Sequence, residues 1–332
     1  RPRIISSASY VGDKEGKGPL RECFDKICRD DTLGLDSWEQ AESRMFESAV
    51  RVALAKIKRQ SDDLSCLLGG DLLNQIISSG FAAREIRAPF IGLYGACSTI
   101  SEGLMLGGML VDGGFAELAA CAASSHFSAA ERQFRYPLEM GVQAVPSSQR
   151  TVTGAGSIII QAAGEFRPGA GNVFEHVALT GGTIGSVEDF GITDANNMGA
   201  AMAPAAFKTI KAHLSDYSRR VEDYDRIITG DLGIFGSDML YELLRGEGIE
   251  IADRHEDCGK LMFSPEQNVN CGASGCGCAA TVMSSWFLPK IESGEIRRVL
   301  FLATGALMSP VSSLQGESIP SIAHAVVIEH ID

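Results

Sequence analysis

The sequence predicts an α/β fold built from two similar halves, and three observations support this prediction. Short apolar segments with the pattern of buried strands alternate along the chain with longer segments of helical pattern. Four segments of the first half recur, in the same order, in the second half. The chain has 332 residues, of which 45% are hydrophobic and 21% charged, and this is enough for a large core.

The first half divides into elements in chain order. Residues 3–11 (RIISSASYV) predict a first strand, and the polar, glycine-rich residues 12–36 predict a loop or lid. Ser37 is a suitable N-cap for an amphipathic helix that continues to about Lys58. The elements that follow are a strand at 64–68, a helix at 72–83, a strand at 89–94, a helix that begins near Cys97 and a strand at 117–123.

The second half repeats this pattern. DLSCLLGGDL at 63–72 aligns without gaps with DYDRIITGDL at 223–232, and each is an apolar strand that ends in Gly-Asp-Leu. The other matching pairs are 117–128 with 299–310, 155–161 with 323–329, and the glycine-rich entry to the Cys97 helix with 271–283. We therefore expect two halves, residues 1–170 and 171–332, each close to βαβαβαββ, that share a pair of buried central helices.

The segment GLYGACSTISEGLMLGGMLV at 92–111 predicts the first of these central helices. Its apolar residues extend nearly all the way round a helix, which is typical of a buried helix. The run is too short to span a bilayer and contains Glu102. Cys97 lies where the loop becomes the helix, and the helix N-terminus favours a thiolate there. The alternative is that Cys97 is a small buried hydrophobic residue.

Charge and cysteine content exclude several classes of protein. The formal net charge of -13 argues against a nucleic-acid binder and against a polybasic membrane-surface protein. The nine cysteines are scattered among apolar segments, so we expect reduced thiols and not a disulfide framework. No signal peptide or transmembrane segment is predicted, and the expected location is cytoplasmic or peripheral. The spacing of Cys258, Cys271, Cys276 and Cys278 lacks the paired units of a zinc site, and no metal or cofactor is predicted.

The repeat and the Cys97 segment resemble the thiolase fold of thiolases and β-ketoacyl-carrier-protein synthases. The resemblance covers nearly the whole chain and implies an α-β-α-β-α layered arrangement with Cys97 in the place of the nucleophile. The histidine and asparagine that those enzymes carry in the second half appear here as Asp231 and Gly272. A carboxylate near Cys97 opposes thiolate formation by like-charge repulsion, so we expect no catalytic turnover. Only the segment 304–307, which contains Gly305, resembles the glycine-rich loop that assists with the oxyanion.

A more specific resemblance is to the stage V sporulation protein AD family of spore-forming bacteria. It implies a protein that binds dipicolinic acid (pyridine-2,6-dicarboxylate), alone or with calcium, and takes part in its uptake into the developing spore. The partners so implied are membrane proteins of the same operon, which would hold the chain at the forespore membrane, and a homodimer is common among enzymes of the fold. The segments that carry the resemblance are 92–116, 124–139, 151–160, 196–206, 229–240 and 271–280.

Two kinds of side chain are candidates for contacting a dicarboxylate. His126 follows the strand 117–123, at the strand end where α/β proteins usually bind ligands, and it is either a donor to the ligand or a structural histidine bonded to backbone. Arg132, Arg135 and Arg150 are candidates to supply a guanidinium, although an arginine in such a segment is more often a solvated surface residue. The predicted ligand-binding set is Cys97, His126, Asp231, Ser274, Gly305 and Arg135.

Two other functions remain open on the sequence. One is an acyltransferase or condensing enzyme that uses Cys97 as nucleophile and His126 as the remaining base. The other is a scaffold for membrane-embedded partners, in which the pocket is vestigial.

Overall fold

The structure is a computed structural model, and it describes residues 1–134 and 145–332. Its strands are β1 (Arg3–Val11), β2 (Lys26–Ile27), β3 (Cys66–Gly70), β4 (Phe90–Gly92), β5 (Leu118–Ser125), β6 (Arg150–Thr151), β7 (Gly154–Gln161), β8 (Val177–Thr183), β9 (Arg226–Thr229), β10 (His255–Asp257), β11 (Ala273–Ser274), β12 (Arg298–Ala306) and β13 (Ser321–His330). Its α-helices are α1 (Trp38–Lys56), α2 (Ile77–Ile86), α3 (Thr99–Asp112), α4 (Phe127–Phe134), α5 (Met198–Asp216), α6 (Gly233–Arg245), α7 (Cys258–Met262), α8 (Cys276–Val282), α9 (Leu288–Glu292) and α10 (Pro310–Leu314).

The main sheet has 11 strands, and its order shows the internal repeat. The path is β10-β9-β12-β13-β8-β1-β7-β5-β3-β4, with β2 beside β1. Read outward from the centre, β1-β7-β5-β3-β4 of the first half corresponds to β8-β13-β12-β9-β10 of the second. The halves join where β1 meets β8 at the antiparallel pair Arg3 and Ala178. The predicted α/β fold with two pseudo-symmetric halves is confirmed; the boundary between residues 170 and 171 stays a prediction.

Three hydrophobic clusters separate the layers. The central cluster includes residues of α3 and α8 together with strands of both halves. A second cluster packs α5 and α6 against the outer face of the second half-sheet. A third packs α1 and α2 against the outer face of the first. The order is therefore helices, half-sheet, central helices, half-sheet, helices, which is the predicted α-β-α-β-α arrangement.

Local signals explain where α1 and α2 begin. Ser37 caps α1, because its side chain accepts a hydrogen bond from the Gln40 N–H, as the sequence predicts. The helix predicted at 72–83 begins later, at Ile77. The buried Asp71 carboxylate accepts hydrogen bonds from the N–H groups of Leu73 (2.8 Å) and Ser79 (2.7 Å). These bonds hold the intervening residues in a separate turn, so the helix starts only after it.

The central helix α3 is less buried than its apolar sequence predicts. Met109 on its last turns is 50% exposed, so the prediction of a helix buried on all sides is wrong there. The opposite face lies very close to β5, because a Cβ at Gly107 would stand 2.8 Å from Cys121 Sγ. Glycine lets one face pack tightly against the sheet, while the other face reaches the surface.

Two further observations concern the length of the apolar helices and the state of the cysteines. In residues 1–134 and 145–332, no helix combines the length and the apolar character that crossing a bilayer requires. The nine cysteines are all unpaired, in agreement with the prediction of free thiols.

Candidate functional site

Cys97 lies on a tight turn that leads into α3. Ala96, just before it, has a positive φ of 49°, which is rare for a residue with a side chain. The Ser98 hydroxyl donates to Gly95 O at 2.6 Å, and the Thr99 hydroxyl donates to Ala96 O at 2.7 Å. These side-chain bonds hold the strained turn and place Cys97 at the N-terminal end of the central helix.

The second half reaches Cys97 through a small parallel sheet. In it, β6 of the first half pairs with β11 of the second, with Arg150 opposite Ala273 and Thr151 opposite Ser274. The pairing brings Ser274 to the cysteine, with 3.8 Å between Ser274 Oγ and Cys97 Sγ. The site is therefore assembled from both halves.

Asp231 lies behind Ser274 and organises this side of the site. Its Oδ2 accepts hydrogen bonds from the Ser274 hydroxyl (2.7 Å) and the Gly275 N–H (2.9 Å), and its Oδ1 accepts one from the Thr304 hydroxyl (2.9 Å). Asp231 is fully buried, and burial raises its pKa to about 6 although these hydrogen bonds act to lower it. The carboxylate does not line the cavity; it fixes Ser274, which does.

The Cys97 side chain is held as a neutral thiol. Burial and then the nearby Asp231 carboxylate raise the pKa of Cys97 well above its usual value. Because the Ser274 proton is already donated to Asp231, the Cys97 S–H is the donor in its contact with Ser274. The arrangement opposes the activation that a nucleophilic cysteine needs.

The cavity at Cys97 is small and mostly apolar. Its volume is about 40 Å³, room for about one water molecule, whereas small-molecule pockets usually measure roughly 300–1,000 Å³. Three methionines and a phenylalanine form much of its wall, and methionine is the most adaptable apolar side chain. These four residues are Phe134, Met198, Met202 and Met308.

Gly305 contributes to the site through close packing. It belongs to β12, so the segment predicted as a loop at 304–307 is strand as far as Ala306. A Cβ at Gly305 would stand 2.1 Å from Gly95 O and 3.2 Å from the Ser98 N atom. Only glycine allows this strand to pass against the Cys97 turn. Gly272 stands where the synthases are expected to carry an asparagine. It has a φ of 114°, and a Cβ there would stand 2.8 Å from Gly259 O.

His126 lies outside the cavity wall and is bound by the backbone. Its Nδ1 accepts a hydrogen bond from the Ser128 N–H (3.2 Å), so the ring proton is on Nε2, which donates to Asp31 O at 2.9 Å. Burial lowers the pKa of His126, which keeps the ring neutral. Both nitrogens thus have backbone partners, and the Nε2 bond ties residues 12–36 to the body of the protein.

Two of the three candidate arginines, Arg132 and Arg150, are not part of the Cys97 cavity wall. Arg132 forms an ion pair with Glu39 and lies over the Trp38 ring, in a separate outer groove beside α1. Arg150 stacks on the Phe127 ring at 3.6 Å. Arg135 falls outside the described residues. Of the predicted ligand-binding set, the structure therefore brings Cys97 and Ser274 to the cavity wall, with Asp231 and Gly305 directly behind them.

Glu15, near Arg150, should make the stability of the folded protein depend on pH. Burial raises the pKa of Glu15 to about 7 from an ordinary value of 4.5. Between pH 4.5 and 7 the folded state therefore keeps a proton that the unfolded chain has lost. The stability that Glu15 contributes is complete below pH 4.5 and is lost as the pH rises through 7. Relative to Glu15→Gln, the free energy of unfolding of the wild type should fall by about 3 kcal/mol across that range in urea titrations. Parallel curves for the two proteins would contradict this.

The cavity wall also contains residues that the sequence does not single out. Glu131 on α4 and Gln149 just before β6 are its less expected polar members. Glu131 follows two alanines in a helix, and Gln149 stands in a polar segment, so neither has a pattern that distinguishes it from a surface residue. Their burial results from contacts between distant segments, which the sequence alone does not show.

Comparisons with solved structures show what this architecture resembles. 3-Oxoacyl-(acyl-carrier-protein) synthase III from Aquifex aeolicus superposes with a TM-score of 0.56 at 12% identity, over 99% of this chain and 100% of that one. Cerulenin-bound OleA from Xanthomonas campestris superposes with a TM-score of 0.61 at 13% identity, over 98% of each chain. At these identities the likeness shows the fold alone, which is the thiolase fold.

Sequence comparison identifies the family. The profile of stage V sporulation protein AD matches residues 1–329. Stage V sporulation protein AD of Bacillus subtilis is 44% identical over 326 residues, which are 98% of this chain and 94% of that protein. The chain therefore belongs to the stage V sporulation protein AD family, a thiolase-fold family with a role in sporulation.

Proposed function

We propose that this protein binds dipicolinic acid in the cavity at Cys97 and takes part in its uptake into the developing spore without catalytic turnover. The observation that carries the proposal is the cavity at the fold's nucleophile position, whose thiol is kept neutral by burial and by Asp231. The family resemblance supplies the ligand. Binding then relies on the cavity wall and not on covalent chemistry.

The histidines support the non-catalytic part of the proposal. A condensing enzyme needs an imidazole or an equivalent base beside its cysteine. Within the described part of the chain, the Cys97 cavity has no histidine in its wall. The three buried histidines of the second half have partners elsewhere. His213 bonds to Thr183 and Tyr224, and His255 bonds to Thr229 and Tyr241. His324 accepts a hydrogen bond from the Gly185 N–H.

Ligand entry requires the wall to move. The present volume of about 40 Å³ is too small for a pyridine ring with two carboxyl groups. We expect the methionine side chains of the wall to move aside, because methionine can change rotamer at low cost. They are Met198, Met202 and Met308. Binding is then coupled to the opening of the methionine wall.

Calorimetry with dipicolinate tests the proposal, with and without calcium. Ala130→Leu places extra carbon atoms in the cavity and should weaken binding at least about tenfold. Ala129→Leu is the matched control, because Ala129 is also buried on α4 but faces the outer groove of about 1,020 Å³. The absence of heat at millimolar dipicolinate, or equal losses in the two variants, would overturn the assignment.

The location and partners are part of the same proposal. The protein acts in uptake together with membrane proteins of its own operon, which hold it at the forespore membrane. Co-purification of those proteins with the tagged chain from sporulating cells, and its loss when they are deleted, tests this step.

A second candidate function, acyl transfer from acyl-CoA, is favoured by one observation. Cys97 stands on a strained turn at a helix N-terminus, which is a frequent position for nucleophiles. Incubation with acyl-CoA followed by mass spectrometry separates the two functions. A stable acyl adduct on Cys97 would favour the enzyme, and we expect none.

A further inference from the structure

Gln149 stands out among the residues of the Cys97 cavity. It is 8% exposed and lies directly before β6. Its Nε2 donates hydrogen bonds to Asp231 O at 2.7 Å and to Ala273 O at 2.9 Å. Backbone carbonyls can only accept, so these two bonds determine which way the side-chain amide faces.

The amide oxygen of Gln149 can accept a hydrogen bond from a molecule in the cavity. In the described part of the chain, Gln149 Oε1 is buried and has no hydrogen-bond partner. A buried acceptor without a partner costs free energy, and polar groups in protein interiors are nearly always satisfied. Since the nitrogen faces Asp231 and Ala273 and the side chain lines the cavity, the oxygen is positioned to accept a hydrogen bond from an occupant.

The acceptor character of this oxygen decides which form of the ligand it can bind. Arg150, the residue after Gln149, is stacked on Phe127 and is not part of the wall. An ionised carboxyl group has no proton to donate, so its oxygens would meet Gln149 Oε1 as acceptor against acceptor, which is unfavourable in a buried site. A protonated carboxyl group has an O–H donor and can make the hydrogen bond.

We propose that Gln149 determines specificity by accepting a hydrogen bond from the ligand, so that the cavity selects a pyridine-2,6-dicarboxylic acid with a protonated carboxyl group over the dianion. This inference rests on the proposed function and names the form of the ligand that the site takes. The same geometry accepts a neutral carboxamide, whose N–H₂ group replaces the acid O–H as donor.

A pair of uncharged ligands tests the requirement for a donor. Pyridine-2,6-dicarboxamide and 2,6-diacetylpyridine have nearly the same shape, but only the amide can donate a hydrogen bond. The dicarboxamide should bind the wild type at least about tenfold more tightly, because a buried acceptor discriminates against ligands that leave it unpaired. Equal affinities would overturn the inference.

Two variants assign the discrimination to Gln149. Gln149→Met removes the acceptor and should reduce the affinity ratio of the two ligands to about one. Gln149→Lys also removes the acceptor, but its ammonium group can still donate to Asp231 O and Ala273 O, so it controls for loss of those bonds. Melting curves establish that both variants are folded. A ratio that stays at about ten in either folded variant would overturn the assignment.

The pH dependence gives a separate readout. If the protonated acid binds, the apparent affinity of dipicolinate should fall about tenfold per pH unit above the pKa of the ligand. Tyr94, Cys97 and Glu131 line the cavity and Asp231 lies behind it, so the uncharged pair is measured at one fixed pH to exclude their titration. In Gln149→Lys the dianion should become the preferred form.

Failure of this inference differs from failure of the proposed function. Dipicolinate that binds with the same affinity at every pH, and equally to Gln149→Met, overturns the role of Gln149 and leaves the binding function intact. The absence of binding by every ligand of the series overturns both.

Discussion

Replacing Asp231 by alanine should lower the free energy of unfolding by about 3–5 kcal/mol. The carboxylate accepts hydrogen bonds from three buried donors, the hydroxyls of Ser274 and Thr304 and the Gly275 N–H. Alanine would leave all three donors unsatisfied and would add a cavity. The burial that raises the pKa of Asp231 to about 6 offsets part of this loss, since it makes the charged carboxylate itself costly. Urea denaturation followed by circular dichroism measures the change.

Asp231→Asn is the matched control, because it keeps the shape and one acceptor oxygen while removing the charge. We expect it to cost less than about 2 kcal/mol, since the Thr304 hydroxyl can rotate to accept from the new amide. It should also lower the pKa of Cys97, because the second contribution to that raised pKa is the Asp231 carboxylate. Alkylation of Cys97 by iodoacetamide, followed by peptide mass spectrometry, should become about tenfold faster at a fixed pH. Equal destabilisation by alanine and asparagine would contradict the role assigned to the hydrogen bonds.

The fold could be predicted because its signals are local. The strands β3 and β9 lead into the same Gly-Asp-Leu sequence, and Ser37 caps α1 by accepting from the N–H three residues later. A repeat of such signals determines the order of elements in both halves. The start of α2 was missed because the Asp71 carboxylate, and not the periodicity of the helix, decides where that helix begins.

The site could be predicted only in part. The place of Cys97 follows from the glycines before the central helix, and the second-half segments that face it follow from the repeat. The role of Gln149 depends on the pairing of β6 with β11, which joins residues that are far apart in the chain. No local pattern indicates such a pairing. The direction of the His126 ring likewise depends on the carbonyl of Asp31, which a long loop brings to it.

The surroundings of the candidate arginines could not be predicted from residue type. A dicarboxylate was expected to meet a guanidinium; of the three candidates, Arg132 is paired with Glu39, Arg150 is stacked on Phe127, and Arg135 lies outside the described residues. Residue type alone does not indicate whether a guanidinium faces a ligand, an acidic side chain or an aromatic ring. The direction of the Gln149 amide likewise depends on where its nitrogen finds its acceptors.

Gly156→Ala should be among the most damaging small substitutions in the chain, with a loss of about 3 kcal/mol or more in the free energy of unfolding. Gly156 lies on β7, where an added Cβ would stand 2.4 Å from the backbone C and O atoms of Ala280 on α8. The contact is between two backbones, so no flexible side chain can move aside. The helix would have to shift, and its first residues follow Ser274 and Gly275, which bind Asp231. Binding at Cys97 should therefore weaken together with stability.

Gly80→Ala is the matched control for the same change of residue. Gly80 lies within α2, and nothing lies within 4 Å of an added Cβ there. Alanine reduces the conformational freedom of the unfolded chain and is the better helix former, so this variant should gain about 0.5–1 kcal/mol. Calorimetric melting of both variants beside the wild type measures the two shifts. Of the two glycines, only Gly156 takes part in the backbone contact between β7 and α8. Shifts of the same sign would therefore show that this contact is not what fixes the position of the second central helix.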